Sequence, residues 1–344
     1  MIKPTAIKNR ILNYWSDMGS NESWLTSLIA AIGLISALFH GEVLADERRT
    51  SFDISVGATY LSGYTDYKVG GTVVWDNFPP SEYHFPTSEL DWPLDKMWAT
   101  LRGQVFYENW RLEALLQKNL TKDPGNMEDR DWGVYPYPQS SPDTLDILGI
   151  VETEMDAWAG DINADYTFYR TPEWSFFTGL GYTYQQYDFE GQNVTQIQRN
   201  PSGGAWVGYR SGDVINYEVA YHIPYARVGT TFIYKDAHNN EKFYLEGSFA
   251  YSPIVRAEDE DNHLLRGFTA RSTTDGDAFI VLLKSRYNVS PQWFVGLNFN
   301  YTTINADGTT RVEYPGSASL YNYSMDVELT SQQLQSTFEI GYRF

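Results

Sequence analysis

Two short stretches carry side chains whose types and spacing could do chemistry. One reads Gly125-Asn126-Met127-Glu128-Asp129-Arg130-Asp131-Trp132, the other Glu258-Asp259-Glu260-Asp261-Asn262-His263. Alternate side chains of an extended segment share a face. Asp129 and Asp131 therefore fall on one side of the first stretch, and Asp259, Asp261 and His263 on one side of the second. A carboxylate beside an imidazole fixes its tautomer and raises its basicity, so that His263 can take a proton from water. Two adjacent carboxylates do not both ionise easily, and one can hold a proton for a leaving group or hydrogen-bond an attacking water. Facing each other across a mouth, the two clusters would activate a water molecule. Acidic runs also occur as plain solvated surface, and oxygen-rich loops suit calcium. His263 speaks against calcium, for which imidazole is a poor ligand, and no metal centre is expected. His84, inside a long connection, His222, within a strand, and His238, in a short turn, are less suited to the role.

These clusters need a frame, and the frame has a period of two. Trp293, Val295, Leu297, Phe299 and Tyr301 alternate with Phe294, Gly296, Asn298 and Asn300, and Leu245, Gly247, Phe249 and Tyr251 with Tyr244, Glu246, Ser248 and Ala250. The chain ends on Phe338, Ile340, Tyr342 and Phe344 against Thr337, Glu339, Gly341 and Arg343, one face apolar and one polar. A last strand ending on an aromatic residue resembles the closing strand of bacterial outer-membrane barrels. Turn formers mark short connections at 108–110, 170–173, 236–240 and 288–291. Long connections are expected at 64–88, 122–144, 190–215, 257–271 and 305–328. Four tight turns and five long loops join ten strands, which predicts an all-β, ten-stranded antiparallel transmembrane β-barrel with short periplasmic turns and long extracellular loops. Segments such as 145–168 exceed the roughly 9 to 11 residues that cross a membrane. The barrel is therefore expected to project above the outer leaflet.

Composition agrees with this reading. With 344 residues, 16% aromatic, 26 Tyr and 11 Trp, and a mean hydropathy of -0.42, the chain is too polar for several membrane helices but rich in interfacial side chains. Its one continuous apolar segment, 24–39, follows Lys3, Lys8 and Arg10 and leads into Val43-Leu44-Ala45, the order of a cleavable secretory signal. Residues 1–45 are thus read as a signal peptide and 46–344 as one barrel domain. A net charge of -19 excludes nucleic acid and favours cationic partners. With no Cys, neither disulfides nor thiolate chemistry contribute.

On the two clusters together with Leu61-Ser62-Gly63, Ser88-Glu89-Leu90-Asp91-Trp92, Pro142-Asp143-Thr144 and Ile223-Pro224-Tyr225, the chain resembles the omptins, outer-membrane endopeptidases with a ten-stranded barrel. The resemblance implies that Asp261 and His263 form a catalytic dyad and Asp129 and Asp131 an opposing couple, with a water between them attacking the peptide carbonyl and no acyl-enzyme. It further implies acidic residues lining a pocket for a basic substrate side chain. One of these matches Asp259, whereas the other falls on Tyr67, so that a preference for Arg or Lys is expected but softened. Asp66, next to Tyr67, would point to the other side of the strand. The resemblance also implies lipopolysaccharide as an activator held on the outer wall. There the family's acidic and basic residues are replaced by Tyr184 and Gln186, and another basic one by Ala220. The competing reading is a non-enzymatic adhesin or pore whose acidic mouth attracts cations.

Overall fold

The computed structural model describes residues 50–344 apart from 124 and 136–140. The expected signal peptide, 1–45, lies outside the described residues. Thirteen strands follow in order: β1 Thr50–Trp75, β2 Ser81–Glu82, β3 Ser88–Pro93, β4 Lys96–Tyr107, β5 Trp110–Asn119, β6 Gly125–Trp132, β7 Leu145–Arg170, β8 Trp174–Arg199, β9 Ala205–Lys235, β10 Glu241–His263, β11 Phe268–Asn288, β12 Trp293–Glu313 and β13 Tyr323–Arg343. β3 runs on into β4, and β5 into β6, each pair forming one stave of the wall. β13 pairs with β12 on one side and β1 on the other, for example Ile340 with Val295 and with Val56. The result is a closed antiparallel ring of ten staves. Every stave of the ring thus has a neighbour on both sides, which a barrel in lipid requires; the short β2, outside the ring, pairs with β1 alone.

The tight turns lie where the sequence predicts them. The long connections differ: most of each, apart from 122–144, is paired strand. β1 continues to Trp75, β8 and β9 pair as far as Arg199 with Ala205, and β10 and β11 meet at His263 with Phe268. Short tips lie outside strands at 200–204, 264–267 and the segment holding the 3-10 turn Gly316–Tyr321, as do the described residues between Trp75 and Ser88 other than β2, and those between β6 and β7. Polar residues there suggested loops, but they face water on the outer wall, so apolar alternation is lost while backbone pairing persists. On β11 the outward series changes from Thr273, Asp275 and Asp277 to Phe279, Val281 and Leu283. The change marks the upper edge of the lipid-facing band, and the barrel projects beyond it.

Inside the band the lumen is held by ion pairs. Glu113 meets Arg102 and, at 2.7 Å, Lys284, while Arg102 also reaches Glu339 at 3.2 Å. Asp53 binds Arg286 and Arg343, each at 2.8 Å. Above them is an aromatic layer in which Trp92 stacks on Tyr217 with centroids 5.3 Å apart and leans on Phe189 at 4.9 Å. The two chemistry-bearing clusters lie on β6 and β10, beside this layer, where Asp261 pairs in the ladder with Tyr217.

Candidate active site

β10 carries one wall. Its inner face presents Asp259 and Asp261, both buried, and then His263 at the strand's end. His263 Nε2 lies 2.8 Å from Asp261 Oδ2, and the imidazole stacks on Phe268 with centroids 4.3 Å apart. The hairpin closes directly after the histidine, where Gly267 N–H donates to the His263 carbonyl at 2.7 Å. Gly267 has φ of 69°, a left-handed backbone that suits glycine. His263 is therefore fixed from both sides, by strand pairing below and a tight turn above. Asp261 leaves its second oxygen buried without a hydrogen-bond partner, and so does Asp259, whose other oxygen accepts from the Ser272 hydroxyl.

β6 carries the opposite wall. In its ladders Asp129 stands between Leu90 of β3 and Gly149 of β7, and Asp131 between Ser88 and Ile147. Gly149 matters because a Cβ at that position would lie 3.3 Å from the Asp129 Cβ. Burial pushes the Asp129 carboxyl up to about 7, the Asp131 carboxylate adds to the shift, and the Arg266 guanidinium and the neighbouring His263 oppose it. The Asp129 carboxyl can thus hold a proton near neutrality. Arg266, from the β10–β11 turn, extends across the mouth to within 3.7 Å of the Asp131 carboxylate. Sequence reasoning missed Arg266. The available signal was a lone cation three residues beyond His263 in an acidic neighbourhood, which could have prompted a search for the group that balances those carboxylates.

Between the walls lies a cleft of about 540 Å³ bordered by Asp131, Asp261, His263, Arg266 and Tyr67 among others. Asp131 and the Asp261–His263 dyad are thus brought to one cavity, with Asp129 close enough for its charge to act on them. Tyr67 lines the floor and donates to Thr310 Oγ1 at 3.0 Å. Burial pushes its hydroxyl well above the usual range, so it stays neutral. Asp259 is buried and does not border the cleft, although its charge acts on the Tyr67 and Tyr217 hydroxyls. Asp66 turns to the outer wall, 3.6 Å from Lys68. His222 meets Tyr182 Oη at 2.6 Å on the outer wall, and His238 lies in the 236–240 turn. His84 packs over Gly133 without bordering the cleft. On the outer wall Tyr184 packs between Trp158 and His222, at 4.8 and 5.0 Å, while Gln186 donates to Glu218 at 3.0 Å and pairs in the ladder with Ala220.

The comparisons with known proteins agree with this architecture. The chain is 27% identical over 264 residues to the outer membrane protease OmpP of Escherichia coli, covering 71% of this chain and 74% of that protein. It is 23% identical over 265 residues to the plasminogen activator of Yersinia pestis, covering 75% and 81% respectively. The crystal structure of the outer membrane protease OmpT from Escherichia coli superposes with a TM-score of 0.71 at 23% identity, covering 87% of this chain and 98% of that one, which supports the fold. The omptin family model matches residues 50–344, and with that span of the chain accounted for, the protein belongs to the omptin family of outer-membrane proteases.

Proposed function

We propose that this omptin hydrolyses peptide bonds with a water activated between the Asp261–His263 dyad and the Asp129–Asp131 couple. The observation that carries the reading is the 2.8 Å bond from His263 to Asp261 on one wall of a cleft that has Asp131 on the other. Asp261 orients the imidazole, and His263 takes a proton from the water as the oxygen attacks the carbonyl carbon. The aspartate couple hydrogen-bonds the water and holds a proton that the departing amine can receive. No residue is acylated, because the nucleophile is water. Residues 46–344 serve as the single working domain, with the mouth on the extracellular side. Cationic peptides are favoured at long range by the net charge of -19. A preference for Arg or Lys beside the cut would rest on Asp259, and its burial away from the cleft argues for a weak one. Lipopolysaccharide is retained as an activator, although Tyr184 and Gln186 offer it no charge.

His263→Ala and Asp129→Ala should each lower peptide cleavage by about 10²- to 10⁴-fold while leaving a folded, heat-modifiable barrel. The assay is a peptide library digested by refolded protein, with and without lipopolysaccharide, read by mass spectrometry. Activity within a factor of a few of the parent in His263→Ala would remove the mechanism.

A further inference from the structure

The two flanks of the β8–β9 hairpin are unlike. On the β8 flank, pairing with β7 runs up to Gln198 with Ile147, and the Tyr135 hydroxyl, from the β6–β7 connection, donates to the Arg199 carbonyl at 2.8 Å. On the β9 flank, the ladder with β10 stops where Ile215 meets His263, and Leu264 N–H makes one last bond to the Val214 carbonyl at 3.0 Å. β9 nevertheless goes on pairing with β8 as far as Ala205 with Arg199. Among the described residues no strand pairs with the other edge of Ala205–Asp213. About half of the backbone N–H and C=O groups of that stretch therefore point away from the hairpin, a template on which another chain can pair. Lysine and proline, which commonly guard such edges, are absent from it. A bulge opposite Asn193, where Gly212 has φ of 94°, bends β9 once, and Ala205–Arg210 beyond it pair with β8 without a break. Trp206, Val207 and Tyr209 stand exposed there, and the Trp206 ring lies along the strand over Gly208, where any side chain would run into it. Aromatic and β-branched side chains are those that pair well across strands.

The place of this edge says what covers it. A strand added there takes the position that β10 would hold if it went on past His263, so one end of it arrives at the 264–267 turn, beside the dyad and Arg266. We propose that the free edge of β9, Ala205–Asp213, binds one flank of an extended polypeptide substrate by strand addition while the scissile bond lies in the cleft. His263 stands opposite Ile215, so Ala205–Arg210 would hold substrate residues about five to ten positions from the cut. Backbone hydrogen bonds supply affinity, and alternate side chains meeting Trp206, Val207 and Tyr209 supply a preference for aromatic and β-branched residues. This rests on the peptidase reading above and names the substrate class of that site: unfolded segments with strand propensity, long enough to reach the edge.

The test takes a short core peptide centred on a cut found in the library digest, and two longer peptides that extend this core, one on each side, with uncharged residues alternating Val, Thr and Tyr. The parent should cleave one of the two extended peptides with kcat/KM about tenfold or more above that of the core, the net effect of a few backbone hydrogen bonds. N-methylation of that extension at alternate residues should remove the gain when the methyl groups fall on one parity and spare it on the other, because alternate N–H groups of a strand face the same neighbour. In Tyr209→Lys, which sets a charge on the edge, the ratio of extended to core kcat/KM should fall towards one. Equal kcat/KM for core and both extended peptides, or a methylation effect without parity, would overturn this proposal alone. So would a parent that is dimeric in detergent but monomeric as Tyr209→Lys, since the edge would then belong to a second copy of the chain. Absence of any cut that vanishes in His263→Ala would overturn the peptidase reading and this proposal together.

Discussion

Asp259 has a buried carboxyl whose titration links the site to folding. Burial pushes it up to about 7, the Ser272 hydroxyl opposes this, and Asp261 adds to it. A carboxyl with a raised folded value keeps its proton in the native state after the unfolded chain, titrating near 3.8, has lost it. Its contribution therefore favours folding below about pH 4 and declines as pH rises to about 7. Above that it costs a constant amount. Asp259→Asn retains an oxygen for Ser272 and removes the titration. The variant should match the parent in thermal stability at pH 4 to within the change of hydrogen bond, and exceed it at pH 8. Heat-modifiability followed across that pH range in one detergent reads the difference. A variant less stable than the parent at pH 8 would mean that Asp259 is held ionised by a partner.

At the scale of elements, the site depends on how β6 is seated between its neighbours. β6 is only eight residues long, and its ladder with β7 places Gly149 against Asp129. Valine at Gly149 would set methyl groups where a Cβ alone already approaches to 3.3 Å. β7 tolerates valine as a strand residue, so the barrel should form. We expect Gly149→Val to lower kcat by about tenfold or more with unchanged heat-modifiability, since small misplacements of reacting groups are expensive. Unchanged kcat would indicate that Asp129 does not need its present seat. The projecting hairpins act in the same sense: paired backbone holds the side chains of the proposed site more firmly than a loop would.

The lumen of the barrel is crossed by charges. Glu113 lies among Arg102 and Lys284, all buried. Removing one member of such a group leaves buried cations uncompensated, at a cost of about 3–5 kcal/mol. Glu113→Ala should therefore unfold at clearly lower denaturant concentration in detergent, although it lies far from the cleft. Because these side chains cross the lumen within the membrane band, we also expect no steady conductance from the parent in planar bilayers. Sustained single-channel currents would revive the passive-pore reading.

Much of this was legible in the sequence. The alternation at 293–301 and at the chain's end, the four tight turns and the ten staves follow from a period of two, which local residue types encode directly. The Asp129–Asp131 and Asp261–His263 spacings also fixed which side chains share a face. What remained hidden depends on contacts between residues far apart. Asp66 and Tyr67 differ by one position, and parity placed one outside and one inside, but only closure of the ring set Tyr67 against Thr310 and Tyr217. Arg266 faces Asp131 across the mouth, and Gly149 seats Asp129, because ladder register joins staves distant in sequence. Glu113 with Lys284, 171 residues apart, is another such pair. Alternation tells each strand which way its side chains point, whereas the stagger of the closed barrel decides what they meet.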